Sequence, residues 1–164
     1  MKLTKTLAII FATLPFFLFA QKINVEHLEG MKIRNIGPAG MSGRVTSIDV
    51  DLSDSDIIYA GTASGGLWKS TSGGINWESV FDDQPCQSVG AVSINQNNPA
   101  EVWVGTGEGN PRNSHNSGEG IYKSLDGGDT WKYMGLKETK VIHRIIIHRD
   151  NPDIVWVAAT GSAW

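Results

Sequence analysis

The chain has 164 residues, 40% of them hydrophobic and 19% charged, a balance that supports one sizeable core and excludes a disordered chain. Its formal charge of −3 excludes a general nucleic-acid binder, which needs a basic stripe. Glycine is abundant at 19 residues and six tryptophans are scattered among them, which points to short strands and tight turns rather than a helical bundle.

Residues 1–20 read as a secretory signal peptide. Lys2 and Lys5 make the positive end, Leu7 to Phe19 is apolar apart from Thr13, and Ala20 is a small residue before the cut. The apolar run falls short of the roughly 20 residues of a membrane span. The expectation is a secreted or periplasmic protein with no membrane span after cleavage, preceded by a lead-in over 21–42. Cys86 is the sole cysteine, so no internal disulfide can form. No base lies beside it in sequence, so it reads as a small, partly buried residue.

From residue 43 the chain repeats itself. Val45–Val50, Val89–Ile94 and Ile142–Ile147 align at offsets of 44 and 53 residues, with apolar side chains at matching places. Each is followed by a polar turn (Asp54-Ser55-Asp56, Asn98-Pro99-Ala100, Asn151-Pro152-Asp153) and a second strand, Ile57–Thr62, Glu101–Thr106 and Ile154–Ala159. A third strand, Leu67-Trp68-Lys69-Ser70, recurs as Ile121-Tyr122-Lys123-Ser124 after an insertion over 107–120. Fourth strands are expected at Ile75–Val80 and Thr130–Met134. Four short antiparallel strands with a period of 40–55 residues predict one propeller blade per unit. The fold expected is all-β: a β-propeller with two full blades, about 43–81 and 88–136, and part of a third over 142–164. An incomplete third blade predicts an N-terminal fragment of a longer propeller, because it leaves strand edges unpaired.

The turn before the fourth strand of the second unit is Ser124-Leu-Asp126-Gly127-Gly128-Asp-Thr130-Trp131, which matches the Asp-box pattern S-x-D-x-G-x-T-W. The first unit carries a worn copy, Ser70-Thr-Ser72-Gly73-Gly74-Ile-Asn76-Trp77. A repeated turn motif points to architecture. The Asp carboxylate can accept N–H groups within the turn, Gly128 and Gly74 can take φ > 0, and Trp131 and Trp77 can pack into the blade. On these residues, together with Gly43-Arg44-Val45, Tyr59–Ser70 and Gly105–Ser114, the chain resembles the Asp-box (BNR-like) propellers. Within them it is most similar to the sortilin-type N-terminal propeller of exported bacterial proteins. The resemblance covers about 31–164 and is specific for fold. It implies either an exported binding or scaffold propeller for an extracytoplasmic protein, peptide or glycan, or a glycoside hydrolase whose acids lie beyond residue 164.

The xyloglucan-cleaving members of that group carry a Thr-Asp-x-Gly-Gly stretch whose Asp is the catalytic base. The matching stretch here is Thr62-Ala63-Ser64-Gly65-Gly66, and Ala63 has no proton-accepting group. No catalytic residue is assigned within the chain. Metal and phosphate sites fail on spacing. Asp49-x-Asp51-x-Ser53 lacks the Gly and the Glu of a calcium loop, Gly105-x-Gly107-x-Gly109 lacks a lysine, and His143 and His148 project to opposite faces of a strand. No cofactor or metal is expected. The loop after each second strand and the segment between blades should share one face. That face would gather Arg44, Glu108, Arg112, Asn113 and His115 as candidate ligand residues near His143 and Arg144, with the Asp-box hairpins opposite.

Overall fold

A computed structural model describes residues 44–110 and 116–161. The expected leader (1–20) and lead-in (21–42) lie outside the described residues, as do Arg112, Asn113 and His115. The described chain builds ten strands. β1 (Val45–Val50), β2 (Ile57–Thr62), β3 (Leu67–Thr71) and β4 (Glu78–Ser79) form one antiparallel sheet in sequence order. A second sheet repeats that order with β5 (Val89–Ile94), β6 (Val102–Thr106), β7 (Ile121–Ser124) and β8 (Lys132–Gly135). β9 (Ile142–Ile147) and β10 (Val155–Ala159) pair as a third. These are the two blades and the partial third that the repeat predicts.

The repeat holds at the level of individual bonds. In all three sheets the first two strands carry the same bulge, at Thr46, Gly90 and His143. All three polar turns close alike, with Ile57 N–H donating to Asp54 O, Glu101 to Asn98 O and Ile154 to Asn151 O. Three different side chains then accept the N–H two residues on: Asp51 from Ser53, Asn95 from Asn97, and the Nδ1 of His148 from Asp150. The sequence needs only a short polar acceptor there, which is why its identity drifts.

Each sheet packs through alternate residues. Val92, Ile94, Val102, Val104 and Tyr122 face the first sheet and cluster with Tyr59, Leu67 and Phe81. Ala91 and Ile121, on the other side, meet Ile142 and Ile145 of the third sheet, with Trp103, Val155 and Val157 at the margin. Full burial of each large aliphatic side chain is worth about 1.5–3 kcal/mol. The seams interlock through glycine. A Cβ on Gly61 would lie 2.5 Å from Val89 Cγ1, and one on Gly105 would lie 2.3 Å from Ile142 Cγ2. Val89 and Ile142 hold matching places in their units, and each presses on the backbone of the unit before.

Three expectations change. The fourth strands are shorter or shifted, Glu78–Ser79 and Lys132–Gly135, because the residues before them are used in the turn. Trp131 packs on the core shared by the first two sheets and not into its own blade alone. It crosses to the first, edge-on to Phe81 (5.2 Å) with its indole N–H on Val80 O (2.7 Å). Trp77, its counterpart, is 39% exposed and bonds only to its own turn at Gly74 O. The motif is the same, but among the described residues no blade precedes the first to receive it.

Candidate functional site

The loops divide between two ends of the sheets. At one end lie the loops after each second strand and the segments between blades, tied by Ala63 N–H to Arg44 O, Gly66 to Gln87 O, Gly107 to Ser88 O and Gly118 to Lys140 O. At the other lie the polar turns and the Asp-box hairpins, tied by Gly73 N–H to Asp56 O and Gly127 to Ala100 O. The division between two faces is therefore as the topology demands.

On the first face the central feature joins two blades. Arg44 Nε donates to Glu108 Oε1 at 2.8 Å, and its Nη2 reaches both carboxylate oxygens. Glu108 has no exposed surface, while the Arg44 side chain is 36% exposed. A ligand can therefore reach part of the Arg44 side chain but not the carboxylate. Of the two candidates from this pair, Glu108 is placed to orient Arg44, and Arg44 alone can touch a ligand directly. A fork held by a buried carboxylate loses little freedom on binding.

The ends of the insertion are braced. Glu108 N–H donates to Asn116 O, and Asn116 Nδ2 returns to Ala63 O at 3.0 Å. The Cys86 thiol donates to Ser117 O and to Ser88 O, and burial pushes its pKa up. It is a protonated packing group, as its sequence context suggests. Gly109 lies against His143, whose Cβ would be 2.5 Å from a Cβ placed there. His143 itself is exposed. Arg44, the two ends of the insertion and the start of the third sheet therefore meet on one face.

Ala63, which the sequence resemblance matches to a catalytic base, is 1% exposed, and its backbone is bonded to Arg44 O and Asn116. A fully covered methyl group offers no acid–base chemistry. Among the described residues no cluster of three His, Cys, Asp or Glu side chains could hold a metal. No helix among them is long and apolar enough to cross a membrane.

The Asp-box on the opposite face is a self-contained turn. Ser124 Oγ accepts Gly128 N–H (2.8 Å) and donates to Asp126 Oδ1 (2.7 Å). Asp126 accepts the Thr130 N–H (2.8 Å) and the Thr130 hydroxyl. These bonds, the Thr130 hydroxyl first, hold the Asp126 pKa at about 2. Gly128 sits at φ 98° and Gly74 at φ 88°, where a side chain is strained. In the worn copy Ser70 and Ser72 accept Gly74 and Asn76 N–H, so serine replaces the aspartate. The turn also fastens the blades, since Tyr59 OH (2.7 Å) and Lys69 Nζ (2.8 Å) of the first blade both donate to Gly127 O. Every hydrogen bond that the Asp126 carboxylate accepts here comes from its own turn, which is a structural role.

No family model matches the chain. Part of it is 33% identical over 105 residues to xyloglucanase Xgh74A of Acetivibrio thermocellus, covering 51% of this chain and 12% of that protein. Part of the chain is thus similar in sequence to one xyloglucanase. The crystal structure of the GH74 enzyme of Niastella koreensis superposes with a TM-score of 0.55 at 25% identity, over 71% of this chain and 18% of that one. YCF48 from Cyanidioschyzon merolae superposes with a TM-score of 0.50 at 18% identity, over 74% of this chain and 33% of that one. The β-propeller architecture is common to all three, and this chain spans a small fraction of each.

Two features were not foreseen. Arg44 and Glu108 are singled out separately in sequence, but their pairing across 64 positions leaves no local signal. The seam contacts of Gly61 and Gly105 were legible in principle, because both are glycines at the same place in the repeat.

Proposed function

We propose that this propeller is an exported binding or scaffold module that captures a protein, peptide or glycan outside the cytoplasm without cleaving it. The observation that carries this is the state of the loop face. The position matched to the base is a covered alanine, the nearby carboxylate is locked by Arg44, and the Arg44 side chain stays partly exposed. That is a surface built to hold a group and not to transfer a proton. Export rests on the leader-like composition of residues 1–20. The finer likeness to sortilin-type propellers rests on the first-blade and insertion residues and agrees with a receptor role.

Relation to GH74 xyloglucanases favours a second reading, a glycoside hydrolase. It would need two carboxylates flanking one bond, supplied by residues other than Ala63 and Glu108. The test is to incubate the purified full-length chain with xyloglucan and assay new reducing ends, alongside retention of labelled ligands on the immobilised chain. Retention without new reducing ends is the expected result, and cleavage above the blank supports the hydrolase.

A further inference from the structure

The three polar turns share one backbone frame and differ in the side chain that opens them. Each is closed by the same two bonds. Asp51, Asn95 and His148 N–H donate to the carbonyls of Ile57, Glu101 and Ile154, whose own N–H groups return to Asp54 O, Asn98 O and Asn151 O. Within this frame the opening residue lends its side chain as an acceptor. Asp51 Oδ1 accepts Ser53 N–H at 2.8 Å, and Asn95 Oδ1 accepts Asn97 N–H at 3.0 Å. In the third turn His148 Nδ1 accepts two N–H groups, from Asp150 and Asn151, each at 3.1 Å. A ring nitrogen accepts only when it carries no proton, so these bonds require a neutral imidazole with its hydrogen on Nε2.

The three acceptors answer acid differently. The Asn95 amide does not titrate. The Asp51 carboxyl is held below its ordinary value, by the Ser53 hydroxyl first, so it stays an acceptor in mild acid. An imidazole takes up a second proton between roughly pH 8 and 5. In His148 that proton would enter the lone pair that now accepts two N–H groups, leaving three donors facing one another and both bonds lost. The Trp156 ring of β10 lies beside the imidazole, with 5.6 Å between centroids. Asp150 and Asp153 belong to the turn itself, and Arg144, Arg149 and Asp49 lie along the same open groove, where the second sheet presents the uncharged Gln96 and Asn97. Among the described residues no carboxylate pairs with the His148 ring.

We propose that His148 is a pH-sensitive latch on the third turn, closed while its imidazole is neutral and released when the ring takes a second proton. Its contribution is present above the imidazole range and lost as pH falls through it. Asn97 Nδ2 donates to Arg149 O, so release also loosens a tie between the second and third sheets. The first two turns, built on the same frame with Asp51 and Asn95, stay closed. Both latch bonds lie within the turn 148–154, so they do not depend on what else packs against the third sheet. The inference is independent of the binding-module reading.

The experiment is hydrogen–deuterium exchange of the folded full-length chain at about pH 7.5 and about pH 5.5, either side of the imidazole range and corrected for intrinsic exchange. It is read on peptides covering the three turns, 51–57, 95–101 and 148–154. Protection of 148–154 should fall about tenfold at the lower pH, the loss expected for two hydrogen bonds, while the other two turns keep theirs. His148→Asn, which supplies the acceptor of the second turn, should keep its protection at both pH values. His148→Ala should be poorly protected at both. No fall in the parent, an equal fall in all three turns, a fall that persists in His148→Asn, or full protection of His148→Ala at the higher pH would each overturn the latch.

Discussion

The seam between the second and third sheets makes a sharp quantitative demand on Gly105. A methyl group there would lie 2.3 Å from Ile142 Cγ2 and 2.8 Å from Ile142 Cβ. Ordinary contact begins near 3.4 Å, so one side of the seam must move by about 1 Å. Ile142 has no exposed surface and is packed with Ala91, Ile121 and Ile145, so it has no open side to move into. The backbone at Gly105 does not need a glycine conformation, because it is not among the positive-φ residues. Gly105→Ala should therefore destabilise through overpacking alone, by about 1–3 kcal/mol. Urea denaturation of the full-length chain measures this. The mechanism is separated from any other by a double-mutant cycle. Ile142→Ala removes the obstructing Cγ2 and costs about 2–5 kcal/mol by leaving a cavity. In that background the residual Cβ at position 142 still lies 2.8 Å from the new methyl, so Gly105→Ala should cost less than in the parent without becoming neutral, giving a coupling of about 1 kcal/mol. A neutral Gly105→Ala, or additive effects of the two substitutions, would refute the interlock.

Other expectations are equally direct. Arg44→Ala should destabilise by about 1–3 kcal/mol, less than a fully buried pair because Arg44 is a third exposed, and by more than Glu108→Gln, as read from urea midpoints. Asp126 has its folded pKa lowered to about 2 from 3.8, so its contribution to stability is complete above pH 4 and is lost as pH falls toward 2. Asp126→Asn should flatten that acid limb between pH 4 and 2. Rebuilding the worn turn with Ser72→Asp and Asn76→Thr should raise stability by about 1 kcal/mol, because a carboxylate accepts the turn N–H more strongly than a hydroxyl does.

Most of the architecture could be read from the sequence, because the repeat is carried by short-range chemistry. Alternating apolar residues, a polar turn acceptor and the Ser–Asp–Gly–Thr hairpin act within a few positions, and each unit states them again. What depended on neighbours was less legible. Trp77 and Trp131 occupy the same place in the same motif, yet one is covered by the blade before it and the other is not. The Arg44–Glu108 pair spans two blades, and the fourth strands lost residues to turns whose hydrogen bonds cannot be counted from composition.

The measurement that tests the central claim most directly follows one xyloglucan sample with the folded full-length chain, scoring both retention and polymer length. Capture by the folded chain with no new reducing ends is the predicted result. Release of new reducing ends above the blank would contradict it.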